Sequence, residues 1–171
     1  MENGFAPDEI EASIIYEDLE VVKAWLDAGG DPNAKTHPAP GSQDVPNWSL
    51  LQLAASGGNV EIISLLLSRG ADVNCTDAHG RSALYICINH LYKDCLPAIR
   101  VLLAHGADVN LAAQRGKTPV MMAAEQDEEL EELVLMEEPY TNEQVWAALA
   151  KGTLEGAIQP TFAGSALKNL T

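Results

Sequence analysis

Cys75, His79, Cys87 and His90 come nearest to a reactive constellation in this 171-residue chain. They read Cys-x3-His and Cys-x2-His, spacings at which thiolate and imidazole ligands can close round a zinc ion. A second concentration of chemistry is the acidic run at 125–138, from Glu125, Asp127, Glu128 and Glu129 to Glu137 and Glu138. Paired carboxylates can serve as general acid and base, but like charges on one helix face are more often simply solvated. His105 stands alone near a helix end, where a protonated imidazole is mildly favoured. No Gly-x-Ser-x-Gly elbow, phosphate-cradling glycine loop or His-Glu-x-x-His pair occurs. No enzyme activity, cofactor or metal is expected.

The elements that carry these residues repeat. Gly58-Asn59-Val60-Glu61-Ile62-Ile63-Ser64-Leu65-Leu66-Leu67-Ser68-Arg69-Gly70-Ala71-Asp72-Val73-Asn74 reads as an apolar helix stopped by glycine and followed by a tight turn. Val101–Asn110 repeats its second half and Leu19–Asn33 gives an earlier copy, with the stop glycines at 29, 70 and 106. The lead-in segments Trp48–Ala55, Arg81–Ile88 and Lys117–Ala124 also align position by position. Periods in this range mark stacked repeats. In that register Cys87 matches Ala54 and Ala123, a small-residue position, where a free cysteine behaves as a small hydrophobe. That weighs against the zinc reading.

Asp77-x-x-Gly80-x-Ser82-x-Leu84, Thr118-Pro119 and the twice-repeated Gly-Ala-Asp-Val-Asn resemble the ankyrin repeat over about residues 8–125. The resemblance implies an all-α solenoid of helix-turn-helix repeats with β-hairpin fingers, closed by C-terminal capping helices, and a protein-binding role without a named partner. Residues 1–159 are expected to form one domain, with units at about 8–33, 34–74, 75–110 and 111–138, a cap at 139–159 read from its own helix signals, and a loose tail at 160–171. The resemblance also implies that Asn74 and Asn110 can be hydroxylated in some eukaryotes, although hydrogen bonding within the turn is the simpler expectation.

Within this frame Ile10, Ile14 and Ile15 are expected on the apolar face of the first helix. Trp25, in the register of Leu66, is expected in the core. The first finger holds eight more residues than its counterparts, including Pro38, Pro40, Gly41 and Pro46. Such an insertion is tolerated cheaply or serves as a binding loop. Ser49 and Asn59 are expected as helix caps, and Pro97 in the first turn of a helix. Thr141-Asn142-Glu143-Gln144 reads as a capping box opening a helix through about Lys151. After Ala124 the pattern degrades, and Leu130, Leu133, Val134 and Met136 mark an apolar stripe on an acidic helix.

Composition narrows the partners. Hydrophobic residues make up 47%, mean hydropathy is −0.04 and the net charge is −15. The charge is −7 over residues 1–43, zero over 44–117 and −8 over 118–171. Nucleic acid is not expected on so acidic a chain, nor is a membrane span. A neutral or basic protein partner suits it better. The N-terminus shows no leader pattern and the three cysteines no disulfide framework, so a cytoplasmic location, or nuclear in a eukaryote, is expected; the chain is also expected to be a monomer.

By residue-by-residue transfer from the resemblance, the contact surface is Pro46, Trp48 and Ser56 in the second unit. In the third it is Ala78, His79, Arg81, Asn89 and His90, and in the fourth Gln114, Arg115, Lys117, Glu125 and Gln126. Trp48 aligns with Arg81 and Lys117, which would make an aromatic and basic strip in an acidic molecule. Tryptophan and arginine are enriched at binding hot spots. The alternatives are that Trp48 folds under the long finger, that the chain is an acidic inhibitor or immunity-type protein working through 125–138, or that its role is purely structural.

Overall fold

The computed structural model describes residues 5–37, 47–89, 95–125, 128–136 and 139–154, without the side chains of Arg115, 128–130 and 152–154. Pro46, His90, Gln126, most of the first-finger insertion and the tail at 160–171 lie outside the described residues.

Nine helices are found among these residues: α1 (Asp8–Ile15), α2 (Leu19–Asp27), α3 (Leu50–Gly57), α4 (Val60–Ser68), α5 (Ala83–Asn89), α6 (Leu96–Ala104), α7 (Pro119–Ala124), α8 (Glu128–Leu135) and α9 (Asn142–Leu154). They form an all-α solenoid. An inner row runs α1, α3, α5, α7, and an outer row runs α2, α4, α6. Each pair closes on its own apolar face, and successive pairs bury the faces left open. Between the rows lie Leu50, Leu51, Ile62, Ile63, Leu66, Leu84, Ile99 and Leu102, all essentially inaccessible.

Local chemistry sets the helix ends. Ser49 and Gln52 form a reciprocal capping box on α3, and Asn59 accepts from the Ile62 amide to start α4. Pro97 stands in the first turn of α6. Thr141 and Gln144 cap α9 through each other's backbone amides. Gly58 ends α3 in the left-handed region at φ 73°. Glu17 takes the same place after α1 at φ 63°, a conformation that costs a residue with a Cβ roughly 1–2 kcal/mol.

Asparagines stitch the turns together. The Asn33 side chain donates to the Gly70 carbonyl and accepts from the Asp72 amide. Asn74 repeats both bonds with Gly106 and Asp108. The next, Asn110, instead accepts from the Tyr140 hydroxyl.

Two expectations change. Ile10 and Ile14 are buried, but Ile15 is 62% exposed, because one further residue along a helix rotates a side chain about 100° off the buried stripe. In α8, Leu133 and Val134 are half-buried, while Leu135 and, just past the helix, Met136 face out. It is α9, not acidic α8, that takes the outer-row place beside α6. There Val145, Ala148 and Leu149 are buried, and the Arg100 guanidinium lies 4.8 Å from the Trp146 ring centroid. Trp25 packs half-buried against the core, as expected.

Candidate functional site

The turns before α3, α5 and α7 project as fingers, each closed at its base. The Thr36 amide donates to the Trp48 carbonyl at 2.7 Å, Asp77 to Arg81 at 3.1 Å, and Ala113 to Lys117 at 2.9 Å. Single bridges, such as Thr76 with Ser82, take the place of longer strands among the described residues. Neighbouring fingers touch. From α3 the Gln52 side-chain amide donates to the Arg81 carbonyl at the base of the second finger, and between the second and third fingers the Gln114 amide donates to the His79 carbonyl at 2.8 Å. Gly80 makes this approach possible. It has φ +72°, and a Cβ there would stand 3.1 Å from the Ala112 carbonyl oxygen, strained in both respects.

Asp77 organises the second finger. Its side chain is fully buried and both oxygens are saturated. Oδ1 accepts from the His79 and Arg81 amides at 2.8 and 3.0 Å. Oδ2 accepts from the Arg81 Nε at 2.8 Å and from the Trp48 indole at 3.2 Å, and pairs with the Arg81 Nη2 at 2.7 Å. The guanidinium lies 5.9 Å from the Trp48 ring centroid. Burial works to raise the Asp77 pKa. The bonds from Arg81 and the His79 amide, with the Arg81 charge, outweigh it and hold the carboxyl below its usual range.

The third finger has no such anchor, because Ala113 aligns with Asp77. Lys117 reaches instead to Glu125, 2.9 Å away at the end of α7, in a pair whose members are 43% and 58% exposed.

Of the four residues of the zinc spacing, the two cysteines are hydrogen-bonded within the fold, and His90 lies outside the described residues. Cys75 donates to the Ser49 hydroxyl at 3.1 Å, and burial is the main cause raising its thiol pKa. Cys87 is fully buried and donates to the Ala55 carbonyl. Hydrogen bonding with Cys95, then burial, push it well above the ordinary thiol range, the opposite of what a reactive thiolate needs. His79 is half-buried with an unpartnered Nδ1, and His105 bonds the Val101 carbonyl.

A family profile described as ankyrin repeats in three copies matches residues 10–113. The chain belongs to the ankyrin-repeat family. Ankyrin repeats generally mediate protein–protein interaction and are generally not catalytic. The chain is 33% identical over 89 residues to a glycerophosphocholine phosphodiesterase of Schizosaccharomyces pombe, an alignment of 47% of this chain and 7% of that protein. It is 30% identical over 93 residues to ankyrin repeat and SOCS box protein 3 of Bos taurus, covering 39% of this chain and 18% of the relative. It is 31% identical over 68 residues to an ankyrin repeat-containing protein of Schizosaccharomyces pombe, covering 40% and 29%. The chain thus spans under a third of the length of each of these relatives. Among the described residues, no helix is long and apolar enough to cross a membrane.

On this ankyrin scaffold the expected contact residues differ in how freely they face solvent. Trp48 and Arg81 are brought together, but each is held by Asp77. Ser56 is half-buried and bonds the Leu53 carbonyl. Asn89 and Glu125 are exposed at the ends of their inner helices, as are Ala78 and Gln114 on the fingers. Arg115 stands on a 3-10 turn at Gln114–Gly116. Two features escaped sequence reasoning. Asp77 belongs to the recurring motif, and its i,i+4 spacing to Arg81 is the one sequence signal for the clasp. Met121, in the register of Gln52 and Tyr85, is 46% exposed on the inner row.

Proposed function

We propose that this ankyrin-repeat chain is a non-catalytic adaptor or scaffold module, which binds a partner protein along its finger tips and inner helices. The observation that carries this reading is the common register of Trp48, Arg81 and Lys117 on adjoining fingers. Residues 1–159 act as one binding unit, as a monomer. The accessible members of the surface, Lys117, Asn89, Glu125 and Met121, make adjustable contacts. Trp48 and Arg81, set by Asp77, present a rigid aromatic and cationic edge, which lowers the ordering cost of association.

The test is affinity capture from the native source at low and high salt, comparing wild type with Lys117→Ala, Asn89→Ala and Met121→Ala combined. None of the three is buried, so circular dichroism is expected to stay unchanged. Loss of a captured protein supports this surface. Equal capture by the folded triple variant rejects it. The competing reading, an acidic inhibitor, draws on the exposed Glu131 and Glu132 of α8. It would show as binding that collapses with salt and ignores the triple variant.

A further inference from the structure

Two carboxylates of the first helix and one imidazole beyond it share a single point. His37 Nδ1 lies 2.9 Å from Glu11 Oε1 and 3.3 Å from Asp8 Oδ1. One ligand atom from each residue falls within 4.8 Å of the other two, and this is the only such group of three His, Cys, Asp or Glu side chains among the described residues. A tetrahedral ion with arms of about 2.0–2.1 Å separates its ligands by about 3.3–3.4 Å. The His37–Asp8 distance of 3.3 Å meets that edge, and the His37–Glu11 distance of 2.9 Å is shorter than it, so the Glu11 carboxylate must draw back slightly to admit an ion. Within the described residues neither Asp8 nor Glu11 is paired with a lysine or arginine. Two negative charges therefore face one imidazole.

The ring is held in place independently of any ion. Phe5 stacks on it with centroids 5.1 Å apart and planes at 25°. The His37 amide donates to Glu11 Oε1 at 2.7 Å. The segment before it is tied by the Phe5–Lys35 bridge and by the Ala6 amide to the Lys35 carbonyl at 2.8 Å. A preset imidazole needs little ordering when an ion arrives.

We propose that Asp8, Glu11 and His37 form a binding site for a first-row divalent cation of the zinc type. The imidazole presents the Nδ1 lone pair, its proton moving to Nε2 by tautomer exchange or leaving to solvent. Glu11 Oε1 and Asp8 Oδ1 supply the other two arms, and water completes the shell. A nitrogen ligand favours zinc, nickel or copper over magnesium and calcium, which prefer oxygen alone. Because Asp8 is 93% and His37 48% exposed, affinity is modest. The ion would clasp the start of the long first finger to α1, a role separate from the partner surface.

Isothermal titration of the full chain with zinc chloride tests the site, with magnesium chloride as control. One equivalent is expected to bind with a dissociation constant on the order of 10 μM, and the His37 ring resonances to shift in NMR. His37→Gln and, separately, Glu11→Gln are each expected to weaken binding at least tenfold, while magnesium gives no heat. Asp8→Asn, at the most exposed ligand, is the variant for which folding is not in question, and it should weaken binding severalfold. Absence of zinc binding at millimolar concentration overturns the proposal. So does binding that His37→Gln and Asp8→Asn leave unchanged, since the ion is then held elsewhere.

Discussion

The fingers ending at Arg81 and Lys117 place a cation at the same register, yet hold it in opposite ways. Arg81 is gripped by a buried carboxylate four residues back, which also fixes the Trp48 indole and two backbone amides. Lys117 has Ala113 at that point and, among the described residues, pairs with the solvated Glu125. Position within the repeat thus sets where a side chain starts, and one neighbour decides whether it is scaffolding or free to meet a partner. A buried, saturated charge pair resists removal of either member, whereas an exposed pair contributes little.

The largest effect is expected from removing the grip. Asp77→Ala leaves the Arg81 and His79 amides and the Trp48 indole without their acceptor. It should cost about 3 kcal/mol in denaturant unfolding, and a loss below about 1 kcal/mol would show that the two fingers do not differ. Acid sharpens the point. The folded-state pKa of Asp77 is depressed, so its stabilisation is full above the unfolded carboxylate value of about 4. It fades as pH falls through the lower folded value. The stability gap between wild type and Asp77→Asn, followed by chemical denaturation, should therefore narrow on acidification below about pH 4.

Transplanting the grip is the intermediate case. Ala113→Asp with Lys117→Arg should gain up to about 1 kcal/mol and weaken partner capture, because the cation is then withdrawn from the surface. Unchanged stability would mean that the clasp needs the Trp48 neighbour as well. Smaller still is Lys117→Ala, expected within about 0.5 kcal/mol of wild type by thermal melting while capture falls. The left-handed Glu17, between α1 and α2, offers a modest control outside both fingers. Glu17→Gly relieves that backbone at the expense of a freer unfolded chain, for a net gain below about 1 kcal/mol.

Much of the stack could be read from the letters, because helices, caps and stop glycines are local. Ser49 with Gln52, Asn59, Pro97 and Thr141 with Gln144 act where their spacing places them. The family pattern and the all-helical architecture followed from the recurrence of such signals. Ile15 went wrong because a stripe on so short a helix leaves the i+5 position undecided. The place of α9 beside α6 depended on docking, which neither segment encodes alone. At the candidate surface, register put Trp48 beside Arg81, but the controlling Asp77 reaches the indole across 29 residues of chain. Asp8, Glu11 and His37 likewise meet across the first turn, a proximity that no linear spacing announces.

The succession of asparagine stitches has a consequence for anyone rebuilding the molecule. Asn33 and Asn74 each engage a glycine carbonyl and an aspartate amide one unit on, while Asn110 spends its acceptor on the Tyr140 phenol. Tyr140 is thus a terminator occupying the socket that a further module would need. Splicing an additional module after Asn110 requires evicting this aromatic plug and supplying a fresh glycine and aspartate to receive the asparagine.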